Sequence, residues 1–192
     1  FGSQRDGSSS TEETGQSDAK TPPSIDDDWA EDVENLEGTR QRVSQHLQKM
    51  SPRGFEEFCA RMLRTLGFEN VDTQGGAGDQ GIDGSGELLI DRFVRTRIAF
   101  QCKKYSNENP VTPEKIRDFR GAIAGRVDRG IFMTTSRFTK AATEEAQREN
   151  VVPIELVDLA RLVDIVIEER IGVKETKAYI TDAKFFGQYQ IP

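Results

Sequence analysis

The chain has 192 residues, 35% hydrophobic and 31% charged, with a formal charge of −7 and a mean hydropathy of −0.62. That length suits one ordinary domain with or without a tail, and no apolar run approaches the ~18 residues a membrane span needs. The charge is uneven. Residues 1–38 hold 11 acids against two bases, which leaves 22 acids and 24 bases for residues 39–192. The foldable part is therefore mildly basic, and a phosphate-binding surface stays open to it.

Residues 1–28 are mostly Ser, Thr, Gly, Asp and Glu. They cannot bury enough surface to offset chain entropy, so residues 1–34 are expected to form a disordered acidic linker ahead of a domain at 35–192. The opening FGSQRDGSSSTEETGQ has no initiator Met and no signal-peptide core, and reads as a piece cut from a longer chain or a cloning scar. Trp29 at the tail boundary is expected to cover an apolar edge.

A helix is expected from about Asn35 to Met50, with Val43, Leu47 and Met50 on its apolar side. Ser51-Pro52 then supplies a hydroxyl cap and a proline at the first helical position. Phe55, Phe58, Cys59, Met62, Leu63 and Leu66 follow at helical spacing until Gly67, with Glu56 off the centre of the stripe. Extended segments are expected at Phe68–Thr73, from Ile82 through Ile90 after a turn rich in glycine (Gly75, Gly76, Gly78, Gly81), and at Arg97–Lys104, the last two forming a hairpin turning near Asp91–Val94. Thr112-Pro113 repeats the hydroxyl-cap-plus-proline start and opens a helix through Ile116, Phe119 and Ile123. A strand at Gly130–Thr135, a helix at Thr139–Asn150, a strand at Val151–Leu156 and a long helix capped by Asp158 complete the chain. After the short leading helix the order is α-β-β-β-α-β-α-β-α, an α/β fold with a mixed sheet sandwiched by helices.

Chemistry concentrates on Ile98-Ala99-Phe100-Gln101-Cys102-Lys103. Strand alternation sends Ile98, Phe100 and Cys102 into packing and sets Gln101 and Lys103 side by side on the other face. Gly78-Asp79-Gln80-Gly81-Ile82-Asp83-Gly84 brings acids to the mouth of the same sheet. A hard divalent cation takes oxygen ligands, here the Asp83 carboxylate, the Gln101 carbonyl and the Cys102 backbone carbonyl. Such a cation acidifies a water and offsets charge on a phosphate, while Lys103 orients the water and stabilises the developing charge. With two cysteines and the single histidine His46, neither a disulfide framework nor a zinc site is supported, and a reducing, cytoplasmic setting is expected. Cys59 and Cys102 are read as core thiols.

FEEFCARMLRTLGFENVDTQGGAGDQGIDG, FQCKKY and GIFMTTSRFTKAA together resemble the Mrr-type catalytic domain of restriction endonucleases, in the PD-(D/E)xK nuclease superfamily with glutamine replacing the last acid. The resemblance covers roughly residues 45 to 170. It implies a restriction-endonuclease-like mixed sheet between helices and cleavage of double-stranded, commonly modified, foreign DNA with Mg²⁺ or Mn²⁺. By position it makes Glu56 the helix acid, Asp83 the strand acid and Gln101 with Lys103 the QxK pair, with Asp79 supporting in the GDxGxD run. Full-length relatives carry a winged-helix DNA reader ahead of the nuclease, which here is either upstream of Phe1 or absent. Double-stranded DNA is the expected partner, a homodimer or tetramer stays open, and a membrane is not expected.

A QxK pair alone is ordinarily a solvated face; the order of the three motifs carries the nuclease reading. Glu56, like Glu57 beside it, has the alternative of plain first-turn charge, and Asp79 and Asp83 that of turn residues. Lys104, Arg117, Arg120, Arg137 and Lys140 are the expected DNA contacts, with Ser136-Arg137-Phe138-Thr139 leading into a helix start. The rival function is a non-catalytic DNA-binding or sensor module on the same fold; a further rival is RNA or effector cleavage.

Overall fold

Ser51 begins the helix that organises the molecule: its hydroxyl accepts the Gly54 N–H at 3.0 Å, and Pro52 follows at the first turn. The computed structural model describes residues 36–73 and 81–176. The acidic segment 1–34 with Trp29, Asp79 and the glycines at 75, 76 and 78 lie outside the described residues.

Ten elements follow in chain order: α1 (Leu36–Lys49), α2 (Pro52–Thr65), β1 (Glu69–Thr73), β2 (Gly84–Leu89), β3 (Arg95–Lys103), α3 (Pro113–Ile123), β4 (Arg129–Thr134), α4 (Lys140–Ala146), β5 (Ile154–Val157) and α5 (Leu159–Glu168). The five strands lie side by side in sequence order. β1, β2 and β3 pair antiparallel, whereas β3, β4 and β5 pair parallel. β3 is thus central and joins the two halves of a mixed sheet. Parallel strands need crossovers, which α3 and α4 provide.

The sheet separates two apolar clusters. Leu47, Phe55, Cys59, Met62 and Leu63 pack with Ile98, Phe100, Cys102, Met133 and Leu162 on one side. Ala99 and Phe132 pack with Ile116, Phe119, Ile123 and Ala142 on the other. Alternation along β3 therefore runs as expected, with Cys102 in the core. An Arg40–Asp164 ion pair at 2.5 Å ties α1 to α5. The hairpin tip is closed by Asp91, whose Oδ1 accepts the N–H groups of Phe93 (2.7 Å) and Val94 (2.9 Å).

Four local expectations are corrected. The segment from Ile82 does not pair until Gly84, because the Asp83 side chain occupies the next rung, accepting the Cys102 N–H. The Thr112 hydroxyl does not cap α3; it bonds the Glu114 carboxylate instead. The helix expected to reach Asn150 ends at Ala146, where the Arg120 guanidinium takes the carbonyls of Glu145 (2.7 Å) and Ala146 (3.2 Å). The last strand begins at Ile154 rather than Val151; Pro153 has no N–H for a ladder.

Candidate active site

Asp83 stands where β2 would have had one more residue. Its N–H donates to the Phe100 carbonyl at 2.9 Å, and its Oδ2 accepts the Cys102 N–H at 2.6 Å. The carboxylate thus replaces a main-chain carbonyl and sits against the peptide between Gln101 and Lys103. Gly84 makes the position possible: a Cβ there would lie 2.3 Å from the Asp72 carbonyl and from the Phe100 ring. No side chain fits.

Gln101 is only 6% exposed, and among the described residues its side-chain amide makes no hydrogen bond. No fully buried side-chain nitrogen or oxygen among the described residues lacks a partner, so the amide is not an orphaned polar group; it lies at the Asp83 corner, close to the Gly81 backbone. Lys103 and Lys104 are half-buried. The ambiguity between the two glutamates of α2 resolves geometrically. Glu57 is exposed and pairs with Arg53 at 3.1 Å, while Glu56 is half-buried and feels both Asp83 and Lys103. Burial, and then the Asp83 charge, raise the Glu56 carboxyl above its ordinary pKa, with Lys103 and Arg53 acting in the opposite direction. Two carboxylates close enough to repel each other favour a cation between them.

These donors fit a hard divalent ion. They are oxygens from Asp83, Gln101 and Glu56, the ligand type Mg²⁺ and Mn²⁺ take. The soft donors are withdrawn. Burial, followed by the adjoining Cys59 thiol, holds the Cys102 thiol well above its ordinary pKa, so Cys102 offers no thiolate, and Cys59 is buried in the core. Among the described residues no group of three or more His, Cys, Asp or Glu side chains is placed to bind a metal alone, so a metal site here depends on the amide and main-chain oxygens.

The expected DNA contacts divide. Arg137 is exposed and its guanidinium has no partner among the described residues. The Lys140 side chain is 93% exposed, with Glu144 at 3.8 Å. Arg117 is half-exposed but engaged with Glu114 (3.0 Å) and Glu145 (3.3 Å). Arg120 is not a DNA contact. It is buried, 2.5 Å from Glu145, and caps α4. The α4 start is closed by its own cap, Thr139, whose hydroxyl accepts the Ala142 N–H at 3.1 Å.

A cleft of about 410 Å³ is lined by Arg40, Gln41, Asn107, Arg137 and Asp158 among others. Asp83, Gln101 and Lys103 do not line it. Sequence reasoning passed over Gly84, and over Thr134 and Thr135 as anything beyond strand; a run of three hydroxyl residues closing a buried apolar strand was the available signal.

A mixed sheet between helices, with an acid, an amide and a lysine gathered at the end of its central strand, has the architecture of restriction endonucleases. The chain belongs to the restriction endonuclease family of Mrr catalytic domains, which it matches over residues 47–166. It is 36% identical over 136 residues to the type IV methyl-directed restriction enzyme EcoKMrr of Escherichia coli (strain K12), an alignment covering 68% of this chain and 43% of that enzyme. The chain thus spans less than half the length of that relative. Its fold is similar to the DNA modification-dependent restriction endonuclease AspBHI (TM-score 0.60, 21% identity, covering 71% of this chain and 37% of that one). It is also similar to MspJI restriction endonuclease, solved in complex with a 27-mer oligonucleotide (TM-score 0.53, 21% identity, covering 67% and 30%). No helix among the described residues is long and apolar enough to cross a membrane.

Proposed function

We propose that this chain is the catalytic part of a divalent-metal-dependent endonuclease that hydrolyses phosphodiester bonds of double-stranded DNA and restricts foreign or modified DNA. The observation that carries it is the Asp83 carboxylate, bonded at 2.6 Å to the peptide that separates Gln101 from Lys103. Asp83 and the Gln101 carbonyl are the metal ligands, with Glu56 completing the acid set. A bound Mg²⁺ or Mn²⁺ supplies charge neutralisation at the phosphate and a more acidic water. Lys103 orients the attacking water and donates to the phosphate oxygen as negative charge builds there. Asp79 supports this corner from the Gly-rich run. Lys104, Arg137 and Lys140, with Arg117 in part, hold the flanking phosphates, giving a salt-dependent grip without base preference.

The catalytic unit is residues 35–192. The acidic segment 1–34 adds charge that opposes DNA binding. Where a DNA-reading domain accompanies this catalytic part, base choice falls to it, and two or four copies would supply the cuts on both strands.

The test is cleavage of methylated and unmethylated plasmid with Mg²⁺, with chelator, and with Asp83→Ala. Cleavage that needs the metal and vanishes in a folded Asp83→Ala protein is expected. Full cleavage by that variant defeats the assignment, and DNA binding without any cleavage by the parent favours a non-catalytic module.

A further inference from the structure

Three successive hydroxyl residues close β4, and all three are buried: Thr134 and Thr135 are 0% exposed and Ser136 is 1% exposed. A buried hydroxyl is unfavourable unless it is hydrogen-bonded. Each of these is bonded, and each bonds the stretch of chain directly following the QxK pair. The Thr134 hydroxyl donates to the Lys103 carbonyl at 2.7 Å, and the Thr135 N–H approaches the same oxygen at 3.3 Å. The Thr135 hydroxyl accepts the Tyr105 N–H at 3.0 Å and donates to the Tyr105 carbonyl at 2.8 Å. The Ser136 hydroxyl donates to the Asn109 carbonyl at 3.0 Å. Beyond these, the Val111 N–H donates to the Arg137 carbonyl at 2.9 Å.

The segment from Lys104 to Pro110 lies beyond β3, so its main-chain groups need other partners. The Thr135 hydroxyl supplies both a donor and an acceptor to one residue, as a neighbouring strand would. It extends the β3–β4 ladder past the last true rung, Lys103 opposite Thr134. Threonine is suited to this because its branched Cβ restricts χ1 and its methyl fills the core.

We propose that Thr134, Thr135 and Ser136 are positioning residues for cleavage: they fix the backbone from Lys103 to Asn109 and so aim the Lys103 ammonium at the Asp83–Gln101 corner. The inference rests on the reading of Lys103 as the site lysine. A clamp on the backbone of a reacting group matters because misplacement by about 1 Å can cost roughly 100-fold in rate.

The experiment compares Thr135→Val, which removes the hydroxyl at equal bulk, with Thr135→Ser, which retains it. Two readouts are taken on each: kcat and KM for plasmid cleavage, and, without DNA, acylation of Lys103 by an amine-reactive ester relative to the exposed Lys140, resolved by mass spectrometry. Thr135→Val is expected to lower kcat by about 10- to 100-fold with KM within about twofold, and to shift the Lys103:Lys140 labelling ratio about threefold or more. Thr135→Ser should return both readouts to near the parent values. A folded Thr135→Val protein with parental kcat and labelling ratio overturns the proposal. If that variant does not fold, Ser136→Ala, which removes a single donor to Asn109, decides instead: an unchanged labelling ratio and kcat overturn the clamp. Failure of the parent to cleave DNA defeats the nuclease reading and leaves the labelling ratio to decide the clamp.

Discussion

Gly81 lies so near Gln101 that a Cβ at position 81 would stand 2.5 Å from the amide nitrogen. The same glycine has a φ of +86°, where an L side chain costs about 1–2 kcal/mol. The turn before Asp83 and the buried amide of β3 therefore constrain each other. Gly81→Ala should lower the melting temperature modestly, displace the amide, and raise the Mg²⁺ concentration for half-maximal cleavage. Parental melting and parental Mg²⁺ dependence together would show that the turn adjusts freely and that the amide does not ligate.

Arginines 120 and 137 should behave oppositely. Arg120→Ala removes the guanidinium from the carbonyls of Glu145, Ala146 and Val152, while Arg117 and Arg148 still hold the Glu145 carboxylate, and should destabilise the fold by about 1–3 kcal/mol. Arg137→Ala should leave thermal melting unchanged. It should weaken DNA binding and reduce the slope of log affinity against log salt by about 1. Binding isotherms at several salt concentrations with melting curves test both. A weakened Arg137→Ala fold or an unaffected Arg120→Ala fold contradicts the assignment.

Acid sensitivity should arise partly at Glu145. Burial acts to raise its pKa, but hydrogen bonds from Arg148, Arg120 and Arg117 outweigh burial and hold the carboxyl below its ordinary value. The unfolded chain therefore binds the proton more readily than the folded one. The stabilisation is complete above the ordinary carboxylate pKa and is lost as the pH falls through the depressed one. Melting temperature measured against pH should fall on the acid side for the parent. The fall should be shallower for Glu145→Gln, and parallel acid limbs would exclude Glu145 as a contributor.

Cys102 lies in the core with Cys59 beside it. Native protein should react slowly with bulky thiol reagents at both positions, since each is buried and reduced. Cys102→Ser places a hydroxyl there and should cost about 1–3 kcal/mol, with Cys102→Ala milder in chemistry. Rapid native-state labelling of Cys102 would contradict the register of β3.

Much of this was legible because local rules and tertiary demands agree. Ser51-Pro52, the apolar stripe of α2 and the alternation along Ile98–Lys103 each follow from spacing alone. What was not legible depended on partners distant in sequence. Arg120 reads as a surface charge until Glu145, 25 positions away, is placed against it. Its guanidinium then also explains why α4 stops short. Asp83 is legible as the strand acid, but not its hold on the ladder, because the Cys102 N–H it accepts lies 19 positions away. The Thr112 hydroxyl misled because Glu114 competes for it.

The order of residues along β3 and β4 bears on how such a protein is made. Glu56, Asp83, Gln101 and Lys103 leave the ribosome first, and Thr134, the partner of the Lys103 carbonyl, follows 31 residues later. The β2–β3 hairpin can form locally, but β3 meets β4 in parallel only after the α3 crossover has been synthesised. A chain halted before β4 therefore holds Glu56, Asp83, Gln101 and Lys103 but lacks the strand whose Thr134 hydroxyl bonds the Lys103 carbonyl. If the nuclease reading and the clamp both hold, unfinished translation products should be inert toward the DNA of the cell that makes them until the crossover and β4 have been made.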